Sequence, residues 1–409
     1  MPNRRVLIST IQPISGGVPA MTAFIASTLR ARGYEPVLAH YEPYSHSPEL
    51  SVPSFKLGRR RVGSTVTRAI DDYEAHAIGA WLPELEFNNY LATAPWKQVI
   101  NSCGAHMSVS GNCLAATPYQ QIGLPFLAWV ATGWDEDRKD RVARFPWARK
   151  LLDKTVNAPV LRELERRILR AGTILALSQH TRRTLDHIAT AAVTHDVLPM
   201  PVDTDFFCPA PERVVKGRIG FSGRFDDPRK NLDLLLQVLS LMSTQRIDAT
   251  ALLIGGTQTE TIGRQIKQLG IAGKVELVPY MPAAELRRRL QTLDLFVLPS
   301  HQEGLCIAAL EAMSCGCPVI STRCGGPEEY VVDGKTGWLV PFDAAEMAAT
   351  IARILPDRGL RQSLAIGARQ MVQHSYTRDK AESVFWAAFD TCFVREAPTT
   401  AHLKFDHAP

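Results

Sequence analysis

The chain has 409 residues, too many for one compact core and comfortable for two domains. Hydrophobic residues make up 45% and charged residues 21%, which excludes disorder over most of the length. The net charge of +5 is a weak pull toward acidic partners, a phosphate-bearing substrate or an anionic membrane surface, and no apolar run reaches the roughly 18 residues of a membrane span.

The opening MPNRRVLISTIQP is basic and then briefly apolar. Without a cleavage site after a long apolar region, it reads as a first strand rather than a signal peptide, and a cytoplasmic location is expected. The eight cysteines form no paired CxxC modules and are expected to be free thiols. Cys306, Cys315, Cys317 and Cys324 are close in sequence, but Cys315-Gly-Cys317 is tighter than the usual zinc pair. Buried small residues account for them better, and no metal site is expected.

In chain order, the pattern predicts a strand over 4–9 and a helix over 18–32. Strands over 98–100 and 125–131 follow, then a helix over 161–169, a strand over 173–177, a helix over 179–188 and a short strand at 197–198. Alternation of this kind implies βαβ units and a parallel sheet. The proline-rich stretch from Pro199 to Pro211 has no helical period and reads as a linker. The alternation then restarts. Strands are predicted over 218–221, 251–254, 275–278, 294–298 and 318–321, with helices over 231–242, 283–290, 307–313, 344–354, 359–374 and 378–393. The fold class is therefore α/β, with two Rossmann-like, doubly wound parallel-sheet domains over residues 1–199 and 212–375 and a linker over 200–211. Such sheets bind ligands at their carboxyl edges, so the cleft between the two is the expected site.

Three loops on that edge could hold phosphate. Ser15-Gly16-Gly17-Val18 lies between the first strand and the first helix, where glycine lets backbone approach a ligand and the helix N-terminus favours an anion. A plain tight turn explains a lone Gly-Gly as well. The run from Gly223 to Asn231 opens the second half, and in it Arg224 and Lys230 could converge on one diphosphate, the first as a fork and the second as a point charge. A solvated basic turn is the plainer account of that run alone. The most informative stretch runs from Pro299 through Ile320. It follows a strand and opens a helix, so the N–H groups of Leu305, Cys306 and Ile307 would be unpaired, beside Gly304, and could face phosphate oxygens. Glu303 can point into the cleft from before the helix, and Glu311 can accept from a pair of ribose hydroxyls. Elsewhere two such glutamates would be surface charges; the strand before them and the helix after them change that reading.

These residues carry a family resemblance. Glu303-x7-Glu311 within E-G-L-x4-L-E-A-M-x-x-G-x-P-V-I, and Gly223-Arg224 with Lys230, resemble the signature of retaining glycosyltransferase family 4, of the GT-B fold. Cys324-Gly-Gly-Pro-Glu-Glu329, Asp333-Gly-Lys-Thr-Gly-Trp-Leu-Val-Pro341, Ser178, the run Val202–Pro209 and Gly16-Gly17 are similar too. The resemblance is strong over 170–375 and thin over 40–125. It implies a nucleotide-sugar donor, with Arg224 and Lys230 on its diphosphate, Glu311 on its ribose and Glu303 facing the transferred sugar. It also implies transfer with retention at the anomeric carbon, without a cofactor or metal, and a final helix, 378–395, that crosses back to the first domain. The acceptor would be a glycan, a lipid-linked molecule or a small molecule.

Three positions depart from the family pattern. Ala131-Thr132-Gly133 stands where many members carry a histidine, so Thr132 takes that place. Pro199-Met-Pro-Val replaces Pro-Asn-Gly-Val and should stiffen the linker. Pro279, beside Tyr280 near the base, replaces a glycine. Thr132, His106 and Asp135 are the candidates for contact with sugar or acceptor. His106 follows the predicted strand at 98–100, although a structural histidine is the commoner case. Asp135 opens an acidic run with Glu136 and Asp137, although a solvated helix start is the commoner role of such a run.

Two rival classes remain: a sugar-nucleotide epimerase of the same fold, and a non-catalytic nucleotide-sugar binding protein. A nucleic-acid partner is not expected, because the basic residues are not interleaved with stacking aromatics. Peripheral contact with an anionic inner membrane face is a further expectation. It draws on the basic residues of 56–68, with Arg59, Arg60 and Arg61, and on an apolar stripe Leu161, Leu164 and Ile168 flanked by Arg162, Arg166 and Arg170. Packing of that stripe on the domain's own core is the commoner arrangement.

Overall fold

The computed structural model describes residues 3–11, 16–143, 145–256 and 259–394; Ser15 of the first glycine loop lies outside them. Eight strands make the first sheet: β1 (Arg5–Thr10), β2 (Glu35–Tyr41), β3 (Ser64–Ala69), β4 (Tyr73–Ile78), β5 (Ala105–Ser110), β6 (Leu127–Val130), β7 (Thr173–Ala176) and β8 (Thr194–Val197). Their order is β3-β4-β2-β1-β5-β6-β7-β8. The central strands β1, β5 and β6 are almost wholly buried, as expected of parallel strands covered on both faces. Helix Gly17–Ala31 covers one face with Met21, Phe24, Ile25 and Leu29, a helical spacing of apolar residues.

This sheet differs from the sequence expectation in three respects, the first being that β2, β3, β4 and β5 lie outside every predicted strand. β3 pairs antiparallel with β4, so the sheet is not wholly parallel. The two are joined by Ile70, Asp71 and Asp72, all with positive φ. And residues 98–100 are not a strand. They close the helix Ala94–Asn101, in which Trp96, Val99 and Ile100 are buried at positions i, i+3 and i+4.

The linker is pinned rather than loose. The Val202 N–H donates to the Tyr376 carbonyl at 2.8 Å, and the Arg369 guanidinium donates to the carbonyls of Thr204, Phe207 and Ser314 at 2.7–2.8 Å. The second sheet holds β9 (Arg218–Ser222), β10 (Thr250–Ile254), β11 (Val275–Val278), β12 (Leu295–Leu298), β13 (Val319–Thr322) and β14 (Gly337–Val340). Its order is β11-β10-β9-β12-β13-β14, parallel throughout. The last helix, Arg378–Phe393, returns to the first sheet and packs against β6, β7 and β8. Its buried Phe385, Trp386 and Phe389 explain why. Tyr34 stacks on Trp386 at 6.0 Å and meets Phe389 edge-on at 5.4 Å, and the Arg32 guanidinium lies 4.1 Å from the Trp386 ring centre.

The stripe read as a lipid-facing surface is core. Leu161 and Ile168 lie in helix Ala158–Ala171 and are wholly buried among Phe126, Trp134 and Leu185, with Leu164 packed against them. Arg162 pairs with Asp135 and Arg170 donates to the Ala189 carbonyl, so these arginines bind the protein's own surface. Among the described residues no helix is long and apolar enough to cross a membrane.

Candidate functional site

The carboxyl edges of the two sheets face one cleft with a cavity of about 1070 Å³. From the first half, Gly16, Gly17 and Thr132 line it. From the second come Arg224, Lys230, Tyr280, Glu303, Gly304, Leu305, Cys306, Ile307 and Glu311. These sequence candidates therefore share one space. Two others do not. His106 is inside β5, 7% exposed, with Nε2 bonded to the Ile100 carbonyl at 3.1 Å and its ring 5.4 Å from Tyr119. Because 98–100 is helix rather than strand, the strand begins later and takes His106 into the sheet. Asp135 points to solvent and pairs with Arg162 at 2.7 Å. Two residues on, about 200° around the helix, Asp137 lines the cleft instead.

The halves meet closely here. A Cβ on Gly304 would lie 2.4 Å from the Ala131 carbonyl oxygen across the seam, and within the second half one on Gly326 would lie 2.1 Å from the Gly304 oxygen. Only glycine permits these approaches. A Cβ on Gly17 would lie 3.9 Å from the Ile307 side chain, an ordinary contact. Polar contacts cross the same seam. Arg229 pairs with Asp137 at 3.1 Å, Gln302 donates to the Thr132 hydroxyl at 3.1 Å, and the His180 N–H donates to Glu329 at 2.8 Å.

Thr132 is buried, and its hydroxyl donates to Glu136 at 3.1 Å. Glu136 in turn lies 3.6 Å from His180 Nε2. The Glu136 carboxylate beside it, against burial, raises the His180 imidazole above its ordinary value. For Glu136, burial works upward, and the neighbouring His180 with the Thr132 and Thr184 hydroxyls outweighs it, so its carboxyl is lowered. Sequence reasoning missed His180, Gln302, Arg229 and Asp227; only the Gly223–Asn231 run, with its basic residues flanking an acid pair, signalled the last two.

Glu303 precedes helix Ile307–Ser314. Its Oε1 accepts from Lys230 Nζ at 2.8 Å and from Ser300 Oγ at 2.6 Å. Burial opposes the Lys230 charge, and the Glu303 carboxylate more than offsets it, holding the ammonium firmly protonated. Arg224 is half exposed and bonds Asp227 at 2.6 Å. Burial would raise the Asp227 carboxyl, yet Arg229 and Arg224 hold it well below the usual carboxylate range. Cys306 caps the helix with φ 64°, and the N–H groups of Leu305 to Ala308 have no backbone acceptor among the described residues. This is an anion-binding geometry. Glu311 has no cation beside it among the described residues; burial pushes its carboxyl up to about 7. Tyr280 is 48% exposed and packs over Gly256, where a Cβ would come within 2.8 Å of the ring. Among the described residues no group of His, Cys, Asp and Glu could hold a metal ion, and all eight cysteines are free.

Comparison with known proteins gives a family match for the second half and a likeness of fold for the whole chain. Residues 211–371 match the family model Glycosyl transferases group 1. The chain is 34% identical over 230 residues to a GDP-mannose-dependent alpha-(1-6)-phosphatidylinositol monomannoside mannosyltransferase of Mycolicibacterium smegmatis, covering 51% of this chain and 59% of the relative. It is 30% identical over 227 residues to a D-inositol 3-phosphate glycosyltransferase of Acidothermus cellulolyticus, covering 51% and 50%. The chain thus spans 50% to 59% of the length of these curated relatives. A sucrose-phosphate synthase from Thermosynechococcus elongatus superposes with a TM-score of 0.74 at 17% identity, over 95% of this chain and 98% of that one, a likeness of fold. The chain has the GT-B fold and carries a glycosyl transferases group 1 domain over residues 211–371.

Proposed function

We propose that the chain is a glycosyltransferase that moves a sugar from a nucleotide-diphosphate sugar to a hydroxyl acceptor, with retention at the anomeric carbon and without a metal. One observation carries this reading: Arg224, Lys230 and the unpaired N–H groups of Leu305 to Ala308 converge on a cleft that also holds Glu303 and Glu311. Departure of the diphosphate leaves an oxocarbenium-like carbon and concentrates negative charge on phosphate oxygens. Fixed donors and cations aimed at those oxygens stabilise that charge without reorganising at the moment of reaction. Glu311 takes the ribose hydroxyls and Tyr280 borders the base. Glu303, held by Lys230 and Ser300, presents its remaining carboxylate oxygen to the transferred sugar. The acceptor, a glycan, a lipid-linked molecule or a small molecule, enters along the first half, past Thr132 and Asp137.

The donor is sought by thermal unfolding of the purified chain with GDP-mannose, UDP-glucose and related nucleotide sugars, since a ligand bound only by the native state raises its apparent stability. The reading expects stabilisation by a nucleotide sugar, then release of nucleoside diphosphate that requires an acceptor and survives a chelator. A donor sugar altered with no acceptor present would make the chain an epimerase. Tight binding without turnover against any acceptor would make it a binding protein.

A further inference from the structure

We propose that the exposed ridge Trp147–Leu152, with its flanking lysines, docks on an anionic lipid bilayer and sets the acceptor end of the cleft against the membrane. The proposal rests on the glycosyltransferase reading at one point only, the naming of that end.

The ridge departs from what a solvated surface needs. Trp147 is 79% exposed, Leu151 56% and Leu152 40%, on the helix Trp147–Leu152. Trp147 and Leu151 are four residues apart and share a face, while Lys150 and Lys154, also four apart, run along its edge. Arg149, Lys150 and Lys154 are exposed. The one acid between 147 and 160, Asp153, is turned inward and held by Arg138 at 2.6 and 3.0 Å. Between 147 and 160 the exposed side chains therefore include tryptophan, leucine and cations but no acid, the composition that suits the headgroup region of an anionic bilayer.

The ridge is also built into the cleft wall. Arg138 bonds Glu86 at 3.0 Å as well as Asp153, and the Asn157 side chain accepts from the Glu86 N–H at 3.2 Å. Glu86 lines the cleft, as does Phe145, two residues before Trp147. A second apolar and basic element hangs from the same stretch. The turn Ser54–Lys56 is tied through Ser54 to Glu84 at 2.9 Å, and it presents Phe55, 67% exposed, and Leu57, 48% exposed, followed by exposed Arg59 and Arg61. Two such elements flank one stretch, 84–86, that walls the acceptor side.

The test is sedimentation of the full chain with vesicles of phosphatidylcholine alone and of phosphatidylcholine with phosphatidylglycerol in equal parts, at low and high salt. The chain is expected to pellet with the anionic vesicles only and to be released by salt. Trp147→Ala with Leu151→Ala should lower the partition at least about tenfold, from the apolar area no longer buried. Lys150→Gln and Lys154→Gln should each lower it by about fivefold. Exposed side chains can be changed without unfolding the chain, so thermal unfolding and stabilisation by nucleotide sugar should be unchanged in all variants. The proposal falls if the chain stays in the supernatant with both vesicle types at low salt, or if the variants pellet like the parent. It also falls if sedimentation velocity finds a dimer that Trp147→Ala dissociates, since the ridge is then a protein interface. A chain that pellets as described but transfers no sugar keeps this surface and loses the function proposed above.

Discussion

Replacing Glu311 with glutamine should remove most of the pH dependence of donor binding. Burial pushes this carboxyl up to about 7, and among the described residues no cation stands beside it to bring it down. A pair of ribose hydroxyls donates hydrogen bonds, so it prefers the carboxylate to the acid. Donor binding should then release a proton and strengthen as pH rises through the neutral range. From a midpoint near 7, the ionised fraction at about pH 6 is roughly one in eleven, so apparent affinity should fall about tenfold between about pH 8 and about pH 6, near 1.4 kcal/mol. A nucleotide-diphosphate sugar has no proton that titrates there, so the donor cannot supply the slope. Free nucleoside diphosphate does titrate and is the wrong probe. Titration calorimetry with GDP-mannose or UDP-glucose, in two buffers of different ionisation enthalpy, counts the protons released. Glu311→Gln should bind about 1–2 kcal/mol more weakly at high pH, with a flat profile below it. Parent affinity that is level across this range refutes the reasoning. A slope that survives in Glu311→Gln would move the titration to the His180–Glu136 pair.

Lys230→Ala should weaken donor binding and slow transfer, each by about 1.5–3 kcal/mol, because it removes a charge-assisted contact and strips Glu303 of its cation; near-native kinetics would take Lys230 out of the site. Gly304→Ala places a methyl 2.4 Å from the Ala131 carbonyl, so it should pry the halves apart and cost donor binding about 1–3 kcal/mol with both sheets still folded, as circular dichroism and calorimetry would show. Glu165 is 1% exposed, and burial raises its carboxyl to about 7 against the bond from the Trp134 N–H. Its folded value lies above its unfolded one, so it destabilises progressively as pH rises from the usual carboxylate range through about 7. Glu165→Gln should therefore gain up to about 3 kcal/mol over the parent at about pH 8 and nothing near pH 4, read from urea unfolding at the two values.

In the second half β9 to β13 were legible because each is a short run that ends in a glycine loop or opens a helix, so period and punctuation agree, whereas β14 and the helix Thr259–Gln268 lie outside the predicted elements. Between residues 35 and 101 period and punctuation do not agree. β3 is an edge strand with nearly every side chain exposed, so it carries no apolar pattern to read. In helix Ala94–Asn101 the last turn, Gln98–Ile100, places Val99 and Ile100 side by side and imitates a strand when read alone. That misreading carried His106 into the cleft on paper. The site motifs were legible for a different reason: Gly304, Glu303 and Glu311 are bound to one strand–loop–helix junction, so locating the junction located them. Asp137 is named only within the acidic run that Asp135 opens, because the choice among three consecutive acids depends on helix phase. The phase is set by Trp134 and Arg138, buried four residues apart, and neither reveals its burial by type alone. Gln302 and His180 act across the seam, where contact depends on how two domains meet and not on either segment.

The measurement that bears most directly on the central claim is proton NMR of the chain turning over a stabilising nucleotide sugar with an acceptor. The account predicts nucleoside diphosphate released in step with a new glycoside of the donor's own anomeric configuration, and both formed roughly ten- to a hundredfold more slowly with Lys230→Ala. A glycoside of inverted configuration, a donor sugar changed without acceptor, or a saturated cleft that yields no product would contradict it.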